Sequence, residues 1–205
     1  MPSEIDFYRA RFEEVGFVQV PDFVEFEALR SLYVDLLASS RSKFRIFWQP
    51  ERPDLNRQKT GNSIKRVYLV PESDGGGIRD DEWCHRQELL NLGFGRIAQE
   101  IQPFVNAIAG SCSYSRSSFF LFEEHDYLGL HNDAKAGDRV NALLPMSINT
   151  VGGIRILINE RLKMFYDLPG GLNILGPRVW HDVPPIHRFP AQADPVRLNL
   201  LMRYL

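Results

Sequence analysis

Short β-prone segments make up most of the second half of the chain, and they constrain the fold more than any other feature of the sequence. Beyond Ser111, runs rich in Val, Ile, Leu, Phe and Tyr alternate with turns of Gly, Pro, Asn and Asp. Short strands at such spacing are typical of a β-sandwich or a small barrel. The predicted strands are 117–122, 139–148, 153–158, 162–166, 171–175, 179–183 and 196–204.

The first 110 residues are predicted to be mainly helical. Apolar side chains recur there at steps of three and four residues, the pattern of a helix with one buried face. Gly16 should end the first helix, whereas Gly93, Gly95 and Pro103 could split the last. The predicted helices cover 5–15, 26–37 and 86–109, and short strands are predicted at 17–20, 44–48 and 64–70.

Composition excludes several classes of protein. The 205 residues carry 24 basic and 26 acidic side chains, a formal net charge of −2, which argues against a strongly cationic binder of nucleic acid. No apolar run approaches the roughly 20 residues that cross a bilayer, and the first residues do not resemble a secretion signal. Cys84 and Cys112 are too few for a disulfide framework, so we expect reduced thiols in a cytoplasmic protein.

Two of the five histidines stand in a context that suggests metal binding. His131 and Asp133 lie two residues apart after a strand-like stretch, where both side chains can turn to one point. His181 follows a later strand and could supply a third ligand from a partner strand. Two histidines and one carboxylate occupy one face of an octahedral metal and leave the opposite positions open, as in non-heme Fe(II) oxygenases.

The order His131-x-Asp133, His181, Arg197 resembles that of the Fe(II)/2-oxoglutarate-dependent oxygenase superfamily. The surrounding segments are similar as well, namely EVGFVQVPDFV near the start, GLHND around the first ligands, NTVGGIRILIN, LPGGLNIL and VWHDVPPI. The resemblance is densest in 117–205 and thin between 41 and 112. It implies a double-stranded β-helix, or jelly-roll, core flanked by helices. We accordingly expect one oxygenase domain over 1–205, with 1–110 as helical support and pocket-shaping segment and 111–205 as the jelly-roll core with the metal site.

The same resemblance implies the contents of the site. His131, Asp133 and His181 would bind Fe(II), and Arg197 would hold the distal carboxylate of 2-oxoglutarate through two parallel hydrogen bonds. Strand alternation places Asn199 and Arg203 on the same face as Arg197, so both are candidate contacts of the co-substrate. The products from 2-oxoglutarate would be succinate and CO2, with O2 consumed and ascorbate as a candidate reductant.

Several assignments within the site stay open at the level of sequence. His187 is an alternative third ligand, although it follows Pro184-Pro185 and is predicted to lie in a loop. His125 is also close to the motif in sequence, but it is expected to be a strand or turn histidine, and His85 has no partner pattern. Arg203 or Arg155 could replace Arg197 at the co-substrate carboxylate.

The sequence favours a small-molecule substrate such as an amino acid or a biosynthetic intermediate, with an anionic molecule as one candidate. An oxidative base dealkylase is the alternative, because that branch carries an Arg-x-Asn-x-Thr-x-Arg strand and this chain has Arg197, Asn199 and Arg203, with Leu201 in place of the threonine. The basic, aromatic segment 41–66 could bind phosphates, a substrate carboxylate or only solvent. Two hypotheses lie outside the oxygenases. One is a non-catalytic, cupin-like metal-binding protein, and the other is a β-rich scaffold whose histidines have no functional role.

Overall fold

Antiparallel strands make up most of the structure. The computed structural model describes residues 3–25, 94–134, 139–146, 152–168, 170–186 and 197–205, the backbone of 45–47 and 62–69, and single positions between 27 and 34. The helices are α1 (Glu4–Val15) and α2 (Phe94–Ala109). The strands are β1 (Phe17–Val20), β2 (Arg45–Phe47), β3 (Asn62–Leu69), β4 (Tyr114–Phe122), β5 (Tyr127–His131), β6 (Val140–Pro145), β7 (Gly153–Ile158), β8 (Arg161–Tyr166), β9 (Leu172–Leu175), β10 (His181–Val183) and β11 (Arg197–Tyr204).

The strands form two sheets that share β3. The larger sheet has the order β1-β9-β6-β11-β4-β3, with β2 beside β3, and the smaller sheet has the order β3-β5-β10-β7-β8. Residues 65–69 of β3 pair with β4, and residues 62–63 pair with β5, so one strand turns from the first sheet into the second. This is the predicted jelly-roll arrangement, and strands from the first 110 residues also take part in it.

Alternation along β11 separates two cores. Leu198, Leu200, Met202 and Tyr204 face a core shared by the larger sheet and both helices. Leu201 faces a second core, between the two sheets, with Phe122 of β4 and Ile156 of β7. Because successive side chains of a strand point to opposite faces, the polar residues of β11 (Arg197, Asn199 and Arg203) share one face, as predicted, and the structure directs that face between the sheets.

The ends of α1 follow from local sequence. The Ser3 hydroxyl accepts a hydrogen bond from the Asp6 amide (3.2 Å) and the Asp6 carboxylate accepts one from the Ser3 amide (3.0 Å), which is a reciprocal capping box. Gly16 ends the helix in the left-handed conformation at φ +70°, where a Cβ would lie 2.6 Å from a methyl group of Val179. The prediction that Gly16 ends this helix is confirmed.

Pro103 does not split the last helix, contrary to the possibility raised by the sequence. α2 continues through it to Ala109. Its apolar face packs Ile101, Val105 and Ile108 into the core shared by the larger sheet and both helices, and this burial offsets the backbone hydrogen bond that proline cannot donate.

Other sequence predictions lie wholly or partly outside the described residues. These are most of the helix over 26–37, the start of the helix at 86–93, residues 147–148 of the strand over 139–148, and the side chains of the basic segment 41–66. Cys84, His85 and His187 also lie outside the described residues. Among the residues that the structure describes, no helix is long and apolar enough to span a membrane.

Candidate metal centre

The two histidines of the site face each other across paired strands. His131 is the last residue of β5, and its register partner on β10 is His181. The ring centroids lie 4.3 Å apart with an interplanar angle of 54°. A shift in register follows between His181 and Val183, whose partner on β5 is Leu128.

Asp133 reaches the same point from the segment that follows β5. Its amide donates to the carbonyl oxygen of Pro177 (3.0 Å), which fixes the backbone beside β10. Its Oδ1 lies 3.9 Å from Nε2 of His131, and its Oδ2 lies 3.7 Å from Nε2 of His181. One potential ligand atom from each of the three side chains lies within 4.8 Å of the others.

Backbone carbonyls orient both imidazoles. Nδ1 of His131 lies 2.7 Å from the Gly129 oxygen, and Nδ1 of His181 lies 2.9 Å from the Val179 oxygen. Since a carbonyl oxygen can only accept, the proton of each neutral ring belongs on Nδ1. The Nε2 lone pairs are therefore directed to the common point, the usual arrangement of metal-binding histidines.

The electrostatics keep Asp133 ionised. Burial raises the pKa of its carboxyl, but the positive charge that the His181 and His131 rings carry when protonated acts in the opposite direction. The Arg203 guanidinium and the Asn141 amide also lower it, and the net pKa lies below the usual value. Two neutral nitrogen donors and one carboxylate form a donor set that suits Fe(II), so these residues fit the ion that the sequence predicted.

Asn141, on β6, was not singled out by the sequence. Its Nδ2 donates to Oδ2 of Asp133 at 2.5 Å, while its buried Oδ1 has no hydrogen-bond partner among the described residues. An asparagine in a strand carries no signal for this role, because the contact depends on β6 lying opposite the segment after β5.

Arg197, the predicted co-substrate clamp, is fully buried and already holds a carboxylate. Its Nε and Nη2 donate to the two oxygens of Asp167 at 2.5 and 3.0 Å. When the Asn199 amide oxygen faces the guanidinium, that oxygen accepts from Nη1 at 2.8 Å and from Nη2 at 3.0 Å. The sequence did not single out Asp167, which is a lone acidic residue after β8.

The alternative residues have separate positions. Arg155 donates from Nε and Nη2 to the two oxygens of Asp182, at 2.7 and 2.6 Å. Asp182 follows His181 on β10 and so points to the opposite face of the strand. His125 lies in the turn between β4 and β5 at φ +70°, and its amide donates to the Ile186 oxygen.

Solved structures share this architecture. A Burkholderia pseudomallei oxidoreductase of the 2OG-Fe(II) oxygenase family aligns over 100% of this chain and 92% of its own, with a TM-score of 0.64 and 17% identity. The non-heme alpha ketoglutarate dependent epimerase SnoN from nogalamycin biosynthesis aligns over 100% of this chain and 84% of its own (TM-score 0.69, 15% identity). A Pseudomonas putida prolyl-4-hydroxylase aligns over 98% of this chain and 97% of its own (TM-score 0.62, 16% identity).

These likenesses establish the fold. The chain has the jelly-roll fold of 2OG-Fe(II) oxygenase structures, which the resemblance in sequence predicted. A second SnoN structure holds Fe3+, alpha ketoglutarate and nogalamycin RO. No protein-family model matches the sequence. No curated protein matches it either.

Proposed function

We propose that this protein is a non-heme Fe(II)/2-oxoglutarate-dependent dioxygenase that hydroxylates or otherwise oxidises a small molecule, with succinate and CO2 as co-products. The observation that carries the proposal is the convergence of His131, Asp133 and His181 on one point. The shared fold with 2OG-Fe(II) oxygenase structures supports the same conclusion.

The chain's own groups would prepare the site for the metal. Nε2 of each histidine offers a lone pair because Nδ1 is held by a backbone carbonyl. Asp133 offers a carboxylate oxygen, and Asn141 holds the other oxygen in place. These three side chains would hold the ion and would leave its remaining positions to the co-substrate and O2. When bound, Fe(II) with a 2-oxo acid supplies the activation of O2 that oxidises a C–H bond.

Polar groups directed between the sheets support a small polar substrate. Ser118, Asn141, Asn173 and Asn199 are all buried, on four neighbouring strands of the larger sheet. The Arg203 guanidinium lowers the pKa of Asp133, so it places a positive charge near the three candidate ligands. Such a wall can orient a small anionic or hydroxylated molecule through hydrogen bonds. The alternative, a base dealkylase, rests on the sequence of β11 and on segment 41–66, whose side chains lie outside the described residues.

The first test is conversion of 2-oxoglutarate to succinate without added substrate. Wild-type protein with Fe(II), ascorbate and O2 should form succinate slowly, whereas His131→Ala and Asp133→Ala should not. His125→Asn is the matched control, since it changes a histidine outside the cluster and asparagine tolerates the left-handed backbone there. Succinate formation that persists in both ligand variants would exclude the proposed site.

The substrate class needs a separate experiment. Mass spectrometry should detect a product 16 mass units heavier when amino acids or biosynthetic intermediates are supplied, as one oxygen atom added to a molecule requires. Alkylated nucleotides and oligonucleotides belong in the same screen. Repair of an alkylated base, with affinity that falls steeply as salt rises, would favour the dealkylase instead.

A further inference from the structure

The guanidinium of Arg197 is occupied by the chain itself. Two of its contacts go to the two oxygens of Asp167, and two more go to the amide oxygen of Asn199 when that oxygen faces the guanidinium. A guanidinium has five N–H donors, so these four contacts use nearly all of them. The Phe122 ring lies over the remaining surface, 5.1 Å from the guanidinium carbon.

The position of Asp167 is fixed by the β7–β8 hairpin. Asn159 and Glu160, at φ +49° and +63°, form the two-residue turn between the strands. At the other end of the hairpin, the Asp167 amide donates to the Gly152 oxygen at 2.9 Å. The backbone next to the carboxylate is thus anchored to the start of β7.

Glycine at 152 allows the arginine to reach this place. A Cβ on Gly152 would lie 2.5 Å from Cδ of Arg197. The side chains of Arg197 and Asp167 are only 1% and 4% exposed. The pair is therefore buried and carries no net charge. Arg197 lies on β11, and Asp167 follows β8. An assignment of Arg197 to the co-substrate alone does not account for Asp167.

We propose that Asp167 is a specificity-determining residue that competes with the distal carboxylate of the co-substrate for Arg197. This inference rests on the proposed use of a 2-oxo acid. A second carboxylate at the same guanidinium would leave one negative charge without a partner in a buried place, which is costly. We consequently expect 2-oxoglutarate to bind with no higher affinity than a 2-oxo acid that lacks a distal carboxylate, such as pyruvate.

Binding to the Mn(II)-loaded, full-length protein tests this without turnover. Titration calorimetry with 2-oxoglutarate and with pyruvate should give wild-type affinities within about threefold of each other, because a free bidentate clamp would favour 2-oxoglutarate by about ten- to a hundredfold. Asp167→Ala should bind 2-oxoglutarate at least about tenfold more tightly than wild type, with the pyruvate affinity unchanged. The double variant Asp167→Ala/Arg197→Met should lose that gain.

Asp167→Ala leaves a buried guanidinium without its partner and could fail to fold. The wild-type ratio of affinities then decides, and Asp167→Asn, which keeps the volume but not the charge, replaces the alanine variant. A wild-type preference for 2-oxoglutarate of about tenfold or more would overturn the inference, because that is the preference expected of a free clamp. So would weaker binding in the Asp167 variants, since Asp167 would then position Arg197 for the co-substrate.

These failures are distinct from failure of the proposed function. Strong wild-type preference for 2-oxoglutarate leaves the proposed function intact and removes only the role of Asp167. Binding of Mn(II) without binding of either acid, in wild type and variants alike, overturns the use of a 2-oxo acid and the role of Asp167 with it.

Discussion

His131 and His181 are direct register partners on β5 and β10, and their side chains lie on the same face of the smaller sheet. Their ring centroids are 4.3 Å apart although the residues are far apart in sequence. A single strand pairing therefore sets the distance between two of the three candidate ligands. Asp133 joins them because its amide is tied to Pro177, which lies shortly before β10.

Removing a ligand should abolish metal binding and leave the fold intact. Asp133→Ala and His181→Ala each take one donor from an open site, whose ligands serve chemistry more than stability. We expect Mn(II) affinity to fall below detection by calorimetry, with an unchanged far-ultraviolet circular dichroism spectrum. Retention of wild-type affinity in either variant would contradict the ligand assignment.

Asn141 should affect the metal through Asp133. Without its hydrogen bond, the carboxylate is less well oriented, so Asn141→Ala should weaken metal binding by about ten- to a hundredfold. Asn173→Ala is the matched control, because Asn173 is an equally buried asparagine on β9 that accepts a hydrogen bond from Gln19 instead. Equal losses of affinity in the two variants would show a general effect of the larger sheet.

Arg155 should have no part in co-substrate binding. Its guanidinium pairs with Asp182, which points away from His181 on β10. Arg155→Ala should lower the free energy of unfolding, since it leaves the buried Asp182 carboxylate without a partner. The affinity of the metal-loaded protein for 2-oxoglutarate should stay within about twofold of wild type, because no clamp is removed. A large loss of that affinity would instead identify Arg155 as the clamp.

Cys112 should make the stability of the protein depend on alkaline pH. Burial raises the pKa of its thiol above the ordinary value of 9.0, with Arg139 opposing the shift weakly. The contribution of the thiol to stability is therefore complete below the unfolded-state pKa and is lost as pH rises toward the folded-state value. In a Cys84→Ser background, urea unfolding should show stability that declines above about pH 9, less so after Cys112→Ala. Equal slopes in both proteins would contradict this.

Leu200, at the centre of β11, should be a main contributor to stability. It is fully buried between the larger sheet and the helices, so Leu200→Ala should cost about 2–5 kcal/mol in the free energy of unfolding. Leu162→Ala, on the edge strand β8, removes the same atoms from a side chain that is 42% exposed and should cost far less. Urea denaturation of both variants makes the comparison.

Much of the strand pattern could be predicted because it is local. The strand at 153–158 has the predicted bounds, and the neighbouring β8 starts one residue earlier than predicted. A predicted strand is too long where the backbone forms a turn instead of pairing with a neighbouring strand. Residues 179–180 lie outside β10, for example, because the Val179 amide donates to the Gly176 oxygen in a turn. Apolar periodicity does not record such a contact.

The sequence by itself determined which residue types are available and which of them share a face. His131 and Asp133 are close because they are two residues apart, and Arg197, Asn199 and Arg203 alternate to one side of β11 because the strand repeats every two residues. The tertiary structure decided the partners. Asp167 at Arg197 and Asn141 at Asp133 depend on which strands lie side by side, and the pairing of strands remote in sequence follows from burial of the whole core rather than from any local pattern.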